Sequence, residues 1–343
     1  MMAFRGTAFP TLRTGGTALL LAAAVLAGIC IGETAIPPET VLHVLANRLW
    51  SAGFAVDPID EGIIWAYRLT RALVAGACGA TLAVCGVILQ SLLRNALADP
   101  YLLGISAGAS TGAVLVTVAG VGAGALSMSL GALGGALTAF GLVALLARAA
   151  GGGARGTAQI ILAGIAGSQL FNALTSFIIT KSASAEQARG IMFWLLGNLS
   201  GVRWIDVTVA LPAALFVLVV ALCHARALDA FTFGTDSAAS LGIPVRRVQA
   251  VLILAAALAT AVMVSITGSI GFVGLVVPHA ARFLVGTRHG RLIPASALIG
   301  AVFLIGVDVL SRIVIPGQVL PIGVVTALVG APVFALLLVR GGR

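Results

Sequence analysis

The stretch GSIGFVGLVVPHAARFLVG, Gly268 to Gly286, decides how the C-terminal half of the chain must fold. It is apolar enough for a lipid bilayer, yet it is interrupted by glycines, a proline, a histidine and an arginine. The longer segment 248–281 carries no formal charge, and as one helix it would measure about 51 Å against a hydrocarbon core of about 30 Å. Two full spans would need about 40 residues. The segment therefore predicts one full span and one shorter helix, separated by a break near Gly268 and Gly271.

The composition of the whole chain places it among helical membrane proteins. Of 343 residues, 60% are apolar and only 9% are charged, whereas soluble domains carry about a quarter charged residues. The net charge of +9 comes from basic residues between apolar runs, so we expect it to set membrane orientation rather than to bind nucleic acid. The four cysteines form no CxxC or Cys/His pattern, and we interpret them as small core residues; no metal site is predicted.

Apolar runs of spanning length recur along the entire chain and predict an all-α polytopic membrane protein with about ten transmembrane helices. We treat residues 1–343 as a single transmembrane domain with a periplasmic loop at 33–67 and a cytoplasmic loop at 224–249. The predicted runs are 17–32, 72–92, 101–119, 125–147, 158–180, 206–223, 248–267, 269–281, 293–311 and 321–339.

The distribution of basic residues predicts the orientation. Threading ten spans places about thirteen of the 20 Lys and Arg residues on one side and about seven on the other. Because basic residues accumulate on the cytoplasmic side, both termini are predicted to be cytoplasmic. The first apolar run lacks a clear cleavage site, so we expect a retained span rather than a cleaved signal peptide.

The sequence lacks the P-loop motif of an ATPase and the intramembrane ionisable residues of a membrane enzyme. Lys181 is the sole lysine, and Thr180 stands where a P-loop would need its second glycine, so the chain should hydrolyse no nucleotide by a P-loop. The deep span positions are nearly free of charge; Asp308 and Arg312 lie four residues apart and are predicted to pair locally. Energy for uphill transport would then come from an ion gradient or from another subunit.

The loop 224–249 has the features of a docking element. It is longer than an ordinary connection between helices, and it contains a short helical pattern with a possible N-cap at Thr235 or Asp236. Gly242 and Pro244 are stop signals for that helix. We therefore predict a short surface helix that contacts a partner.

Four segments of the chain are distinctive, namely RLTRALVAGACGATLAVCGVILQSLLRNALADPYLLGISAGAS (68–110), GTDSAASLGIPVRRV (234–248), GSIGFVGLVVPHAARFLVG (268–286) and LPIGVVTALVGAPVFALLL (320–338). Together they resemble the permease subunits of the FecCD class of bacterial ABC importers, which take up ferric siderophores, heme and cobalamin. Ala96 and Tyr101 differ from the residues most often found at these two positions of the first segment in the family. The resemblance covers essentially the full length.

The resemblance implies the BtuC-like permease fold and an assembly. It implies a homodimer in the bacterial inner membrane with a central path between the subunits, two cytoplasmic ABC ATPase subunits and a periplasmic binding protein. No cofactor would be bound by this chain, since ATP and magnesium would bind the ATPase.

The resemblance also implies roles for individual residues. Arg68, Arg71 and Arg312 would receive acidic residues of the binding protein. Thr157 and Ala158 would form the cytoplasmic gate, and Gln169 and Asn172 would lie on a helix that lines the path. The ATPase-coupling helix would comprise Gly234, Thr235, Asp236, Ser237, Ala238, Ala239, Ser240, Leu241 and Gly242.

The sequence says less about the substrate than about the fold or the partners. An iron chelate is expected, with heme favoured and a ferric siderophore close behind, although His43 is the sole histidine placed on the outer side as an axial ligand. Cobalamin is the alternative within the same family. A gradient-driven secondary transporter is the alternative from a different class, and an enzyme is disfavoured for want of an intramembrane catalytic pair.

Overall fold

A computed structural model describes residues 14–120, 125–151 and 156–341, and these fold almost entirely into helices. A π-helical segment, Gly62–Arg68, leads directly into the fourth helix, and a 3₁₀ turn, Pro100–Leu103, precedes the fifth. The α-helices are α1 (Thr14–Cys30), α2 (Pro38–Trp50), α3 (Pro58–Glu61), α4 (Leu69–Leu92), α5 (Ile105–Ala119), α6 (Ala125–Ala149), α7 (Gly156–Ser182), α8 (Ala185–Leu195), α9 (Trp204–Cys223), α10 (Ala225–Phe231), α11 (Thr235–Ser240), α12 (Val245–Thr267), α13 (Val273–Val285), α14 (His289–Ile313) and α15 (Ile322–Gly341).

Each of the ten predicted apolar runs coincides with a helix, namely α1, α4, α5, α6, α7, α9, α12, α13, α14 and α15. Within the described residues, six helical segments are long and apolar enough to cross a membrane, and four further apolar helices are shorter. The all-α membrane fold predicted from the sequence is therefore confirmed, whereas the exact number of spans stays a prediction.

Helix α4 is the central element of the bundle. All of its residues except Leu73 and Ala80 are buried, so it is surrounded by other helices and has no face for lipid. A helix that is apolar on every side must be covered by protein or lipid, and here protein covers it. Its partners include α14, α9, α13 and α12.

The break predicted at the glycines after residue 267 is present. Helix α12 ends at Thr267, and Gly268 has a φ of +69°, a left-handed conformation that glycine adopts without a Cβ penalty. Phe272 is also left-handed, at a φ of +68°, immediately before the 13-residue helix α13. The prediction of one full span followed by one short helix is therefore confirmed.

The bundle has two chemically different ends. Helices α4 and α14 run antiparallel, because the start of α4 approaches the end of α14 through Arg71 and Asp308, while the end of α4 approaches the start of α14 through Ser91 and His289. We call the first end, which also carries α2 and α3, the α2 end. We call the second, which carries α10 and α11, the α11 end.

Candidate functional site

The predicted coupling segment forms a short helix bounded by two left-handed glycines. Gly234, with a φ of +112°, precedes α11, and Gly242, with a φ of +81°, follows it. Gly242 N–H donates to the carbonyl of Ala239 at 2.9 Å and Ile243 N–H to the carbonyl of Ala238 at 3.2 Å, which is the Schellman arrangement for ending a helix. The predicted stop is confirmed.

The prediction for the N-cap of α11 was wrong by one or two residues. The N-cap is Gly234, and no side chain caps the helix; Thr235 and Asp236 are its first two helical residues. The physical reason is that Gly234 alone can adopt the backbone angle at which the chain turns out of α10.

The α11 segment projects into solvent while one residue anchors it. Ala238 is fully buried in an apolar cluster to which α10 and α12, the helices that α11 packs against, also contribute. Leu241 is 71% exposed, and Phe233, on the opposite flank of the helix, is 78% exposed. Apolar side chains this exposed at the tip of a surface helix are typical of an interaction site. Phe233 was missed by the sequence analysis, although its place just before Gly234 is visible in the sequence. The other exposed members of the predicted coupling segment are Asp236, Ser237, Ala239, Ser240 and Gly242.

A buried cluster of charges joins α4 and α14 at the α2 end. The Asp308 carboxylate accepts hydrogen bonds from Arg71 Nη2 at 2.7 Å and Nε at 3.1 Å, and Arg312 Nη2 lies 3.0 Å from its other oxygen. All three side chains are at most 1% exposed. The predicted local pair between Asp308 and Arg312 is confirmed, while the contact with Arg71, 237 residues away, was not predicted.

The same cluster ties down the end of α1. Arg312 Nη2 donates to the carbonyl of Gly28 at 2.9 Å, and Arg68 Nη1 donates to the carbonyls of Ile29 at 3.0 Å and Cys30 at 3.2 Å. Arg68 also donates to the carbonyl of Thr34. These guanidinium groups satisfy carbonyls that the C-terminus of a helix leaves unpaired.

The three arginines predicted to dock a binding protein are therefore brought together, but they are internal rather than surface residues. Arg68 is 2% exposed, and Arg71 and Arg312 are 1% exposed. A cavity of about 90 Å³, lined in part by Glu33 and Tyr67, reaches two of them, Arg68 and Arg312, but not Arg71. Arg312 Nη1 has no hydrogen-bond partner among the described residues.

The residues predicted to form the gate and to line the path all lie on α7. Ala158, Gln169 and Asn172 are exposed, and Thr157 is on the first turn of the helix, with its side chain outside the described residues. Gln169 lines a cavity of about 330 Å³. Asn172 is not among the residues that line it, so the structure does not bring these two polar side chains into one cavity.

The same cavity contains polar residues that sequence reasoning missed. Asp99, Tyr101 and Ser168 line it beside Gln169. Asp99 Oδ1 accepts the backbone N–H of Tyr101 at 2.9 Å, so it caps the 3₁₀ turn; an Asp before Pro100 was the signal for this in the sequence. Desolvation raises the pKa of Asp99 to about 6, with the hydrogen bond from Tyr101 opposing it.

The described residues include no group of three or more His, Cys, Asp or Glu side chains placed to hold a metal ion. His43 stacks on Phe54 with ring centroids 4.2 Å apart, and Glu39 lies 3.9 Å from it. His279 makes an edge contact with Phe283, as expected of a packing residue.

Comparison with known proteins assigns this architecture to a family. The chain matches the model of the FecCD transport family over residues 20–340. It is 37% identical over 334 residues to YvrB, an ABC transporter permease protein of Bacillus subtilis strain 168, covering 94% of this chain and 93% of that protein. It is 39% identical over 291 residues to BtuC, the cobalamin import system permease protein of Halobacterium salinarum, covering 83% and 75%.

A solved structure agrees with these sequence matches. An inward-facing ABC transporter described as of the metal-chelate type superposes with a TM-score of 0.80 at 29% identity, covering 95% of this chain and 98% of that one. The chain therefore belongs to the FecCD transport family, whose members are the membrane permeases of ABC importers and leave ATP hydrolysis to a separate partner subunit.

Proposed function

We propose that this chain is the permease subunit through which an ATP-driven importer moves a chelated metal across the cytoplasmic membrane. The observation that carries the proposal is the family match over residues 20–340 together with the exposed apolar tip of α11. The permease provides the path, and a partner ATPase that binds ATP and magnesium provides the energy.

The α11 end faces the cytoplasm in this proposal, and both termini, which lie outside the described residues, face it as well. The support is the positive-inside bias, together with Arg94, which lies beside Gly234 at the α11 end. Cysteines introduced near each terminus should resist a membrane-impermeant reagent in intact cells and react after permeabilisation. Labelling of either in intact cells would contradict the orientation.

The ATPase docks on α11, with Phe233 and Leu241 inserted into its groove. The support is their exposure beside the buried anchor Ala238. A bulky residue in the exposed turn, Ala239→Trp, should abolish transport while membrane insertion persists. Normal transport by this variant with the ATPase bound would contradict the proposal.

The binding protein docks at the α2 end through the positive charge of the arginine cluster. Three arginines and one aspartate give this cluster a net charge of +2, and the 90 Å³ cavity leads to Arg68 and Arg312. A carboxylate of the partner would enter this cavity toward the guanidinium groups of Arg68 and Arg312. Because the arginines also hold the fold together, replacing them would confuse docking with stability.

Glu33 offers a cleaner test of this docking site. It is exposed and lines the cavity, so Glu33→Lys adds positive charge without disturbing the buried network. We expect the affinity for the binding protein to rise by about 1.5- to 5-fold at low salt, with a steeper dependence on salt. Glu39→Lys, which is outside the cavity lining, is the control. Equal effects of the two variants, or none, would argue against the cavity as the docking site.

A homodimer forms around the translocation path in this proposal. Helix α7 presents a row of exposed apolar side chains that a lipid or a second copy could cover, and the exposed Gln169 and Asn172 among them suit a path shared by two copies. Thr157 and Ala158 would close its cytoplasmic mouth. The exposed apolar side chains of α7 are Leu162, Ile165, Leu170, Leu174 and Phe177.

Cobalamin is the first chelate to test, ahead of heme and a ferric siderophore. The related BtuC permease is named for cobalamin import, whereas the axial ligand that a heme would want, His43, is stacked on Phe54. The experiment is uptake into proteoliposomes that contain the permease, the ATPase and the binding protein, with the three chelates offered separately.

The same experiment separates the importer from a secondary transporter. Uptake by an importer requires hydrolysable ATP on the side of the vesicle membrane where the ATPase is bound. This uptake persists when ionophores collapse the ion gradients. Uptake that needs a gradient and ignores ATP would refute the proposal.

A further inference from the structure

Helices α4 and α14 are joined at three levels along their length. At the α2 end, Arg71 of α4 is paired with Asp308 of α14. In the middle, a Cβ on Gly79 would lie 2.1 Å from the carbonyl oxygen of Gly300, so the two backbones touch with no side chain between them. At the α11 end, Ser91 Oγ lies 2.6 Å from His289 Nε2.

At the α11 end, the contact between Ser91 and His289 extends to α10, the helix that directly precedes α11. The Asp229 carboxylate of α10 accepts the backbone N–H of His289 at 2.8 Å and lies 2.7 Å from His289 Nδ1. The carboxylate thus holds the first residue of α14, which in turn contacts the last turn of α4. Leu228 and Phe231, on either side of Asp229, pack into the same apolar cluster as α4 and α14.

The spacing of Ser91, His289 and Asp229 resembles that of a hydrolytic triad, but the site is closed. His289 is 2% exposed and Ser91 is 7% exposed, so no substrate reaches the hydroxyl. The hydroxyl also lies 2.8 Å from the carbonyl of Val87 in its own helix. The arrangement therefore serves contact between helices rather than nucleophilic attack.

From these contacts we infer that α4 and α14 move as one rigid unit that carries the motion of α10 and α11 to the arginine cluster at the α2 end. A slide of one helix past the other would separate Arg71 from Asp308 and Ser91 from His289 together, leaving buried charged and polar groups without partners. The backbone contact at Gly79 and Gly300 opposes the same slide. The inference rests on the proposed importer function, since it describes how ATPase-driven motion would reach the binding-protein side.

The inference gives Asp229, His289 and Ser91 a positioning role in transport. His289 and Ser91 are buried, and together with Asp229 they fix α10, the helix before the docking element, to the two helices that lead across the bundle. By thermodynamic reciprocity, a link of this kind lets nucleotide at one end change affinity for the binding protein at the other, and the reverse.

The first test is a crosslink between the two helices. A Cβ on Gly76 would lie 3.9 Å from the Cβ of Ala301, which is the separation found in disulfides. Gly76→Cys with Ala301→Cys, in a background whose four native cysteines are replaced by alanine, should form the bond on oxidation. Uptake in proteoliposomes should stay within about twofold of the reduced protein, because a rigid pair does not need to slide. The single-cysteine variants control for effects of the oxidant.

The outcomes of the crosslink separate the two proposals. A cysteine-free parent without ATP-dependent uptake would refute the importer function. A parent that transports, with a double variant that stops on oxidation and recovers on reduction, would refute the rigid unit alone. Failure of the bond to form would contradict the helix contact on which the inference stands.

The second test compares Asp229→Ala with Asp229→Asn. Asparagine keeps an acceptor oxygen for His289, whereas alanine removes it. The measurement is the ratio of binding-protein affinities with and without ATP. We expect the wild-type ratio to shrink at least about threefold in the alanine variant and to change less than about twofold in the asparagine variant. An unchanged ratio in the alanine variant, or no effect of ATP on the wild type, would overturn the inference.

Discussion

Replacing Asp308 with alanine should destabilise the protein more than any other removal of a single carboxylate in the described structure. The change leaves the guanidinium groups of Arg71 and Arg312, each 1% exposed, without the carboxylate that both contact. Removing one member of a buried ion pair costs about 3–5 kcal/mol, because the remaining charge stays desolvated.

The pair between Arg48 and Glu61 provides a matched control. Its nitrogen and oxygen are 2.7 Å apart, the same separation as in the pair of Arg71 with Asp308, but its side chains are 49% and 31% exposed. Exposed pairs contribute about 0.2–1 kcal/mol, so Glu61→Ala should have a small effect. Burial rather than distance accounts for the predicted difference.

The assay is reversible unfolding of the purified permease in mixed micelles, followed by far-ultraviolet circular dichroism as the fraction of denaturing detergent rises. The free energy of unfolding should fall by about 3–5 kcal/mol for Asp308→Ala and by less than about 1 kcal/mol for Glu61→Ala. Adding Arg71→Met and Arg312→Leu to an Asp308→Leu variant should recover much of the loss, since the two arginines that lose their carboxylate are then removed with it. Similar losses for Asp308→Ala and Glu61→Ala would refute the reasoning.

Three further outcomes follow from local geometry. Gly86→Ala should lower the free energy of unfolding by about 1–3 kcal/mol, because the added Cβ would overlap the carbonyl oxygen of Gly274. Gly141→Ala is the control, since open space surrounds that position, and equal effects of the two variants would contradict the packing. Phe233→Asp should weaken co-purification of the ATPase at least about tenfold while the permease elutes as a single species, and undiminished co-purification would remove Phe233 from the interface. Asp99→Asn should raise stability by about 1–2 kcal/mol at pH 7.5, by less at pH 4.5 and hardly at all at pH 3. A carboxyl whose pKa rises from 3.8 to about 6 on folding destabilises the fold increasingly between those two values and fully above the higher one, so an equal effect at pH 7.5 and pH 3 would contradict the raised pKa.

The sequence by itself determined the elements along the chain. The ten apolar runs, the break after Thr267 and the stop at Gly242 follow from local properties, namely hydropathy over about 20 residues and the backbone freedom of glycine. The i, i+4 pair of Asp308 and Arg312 is local too, because both residues lie on one turn of one helix.

Only the tertiary structure decided which side of each element is covered. The sequence around an arginine is the same whether its side chain contacts a partner protein or is buried against a neighbouring helix. The approach of α1 and α14 to α4 is what buries Arg68, Arg71 and Arg312. In the same way, the sequence shows His289 only as a titratable residue at the start of a helix. Its pairing with Asp229 of α10, 60 residues away, is visible only in the tertiary structure. Hydropathy and periodicity describe one segment at a time, whereas burial and ion pairing depend on neighbours that are remote in the chain, and this physical difference set the limit of what could be predicted.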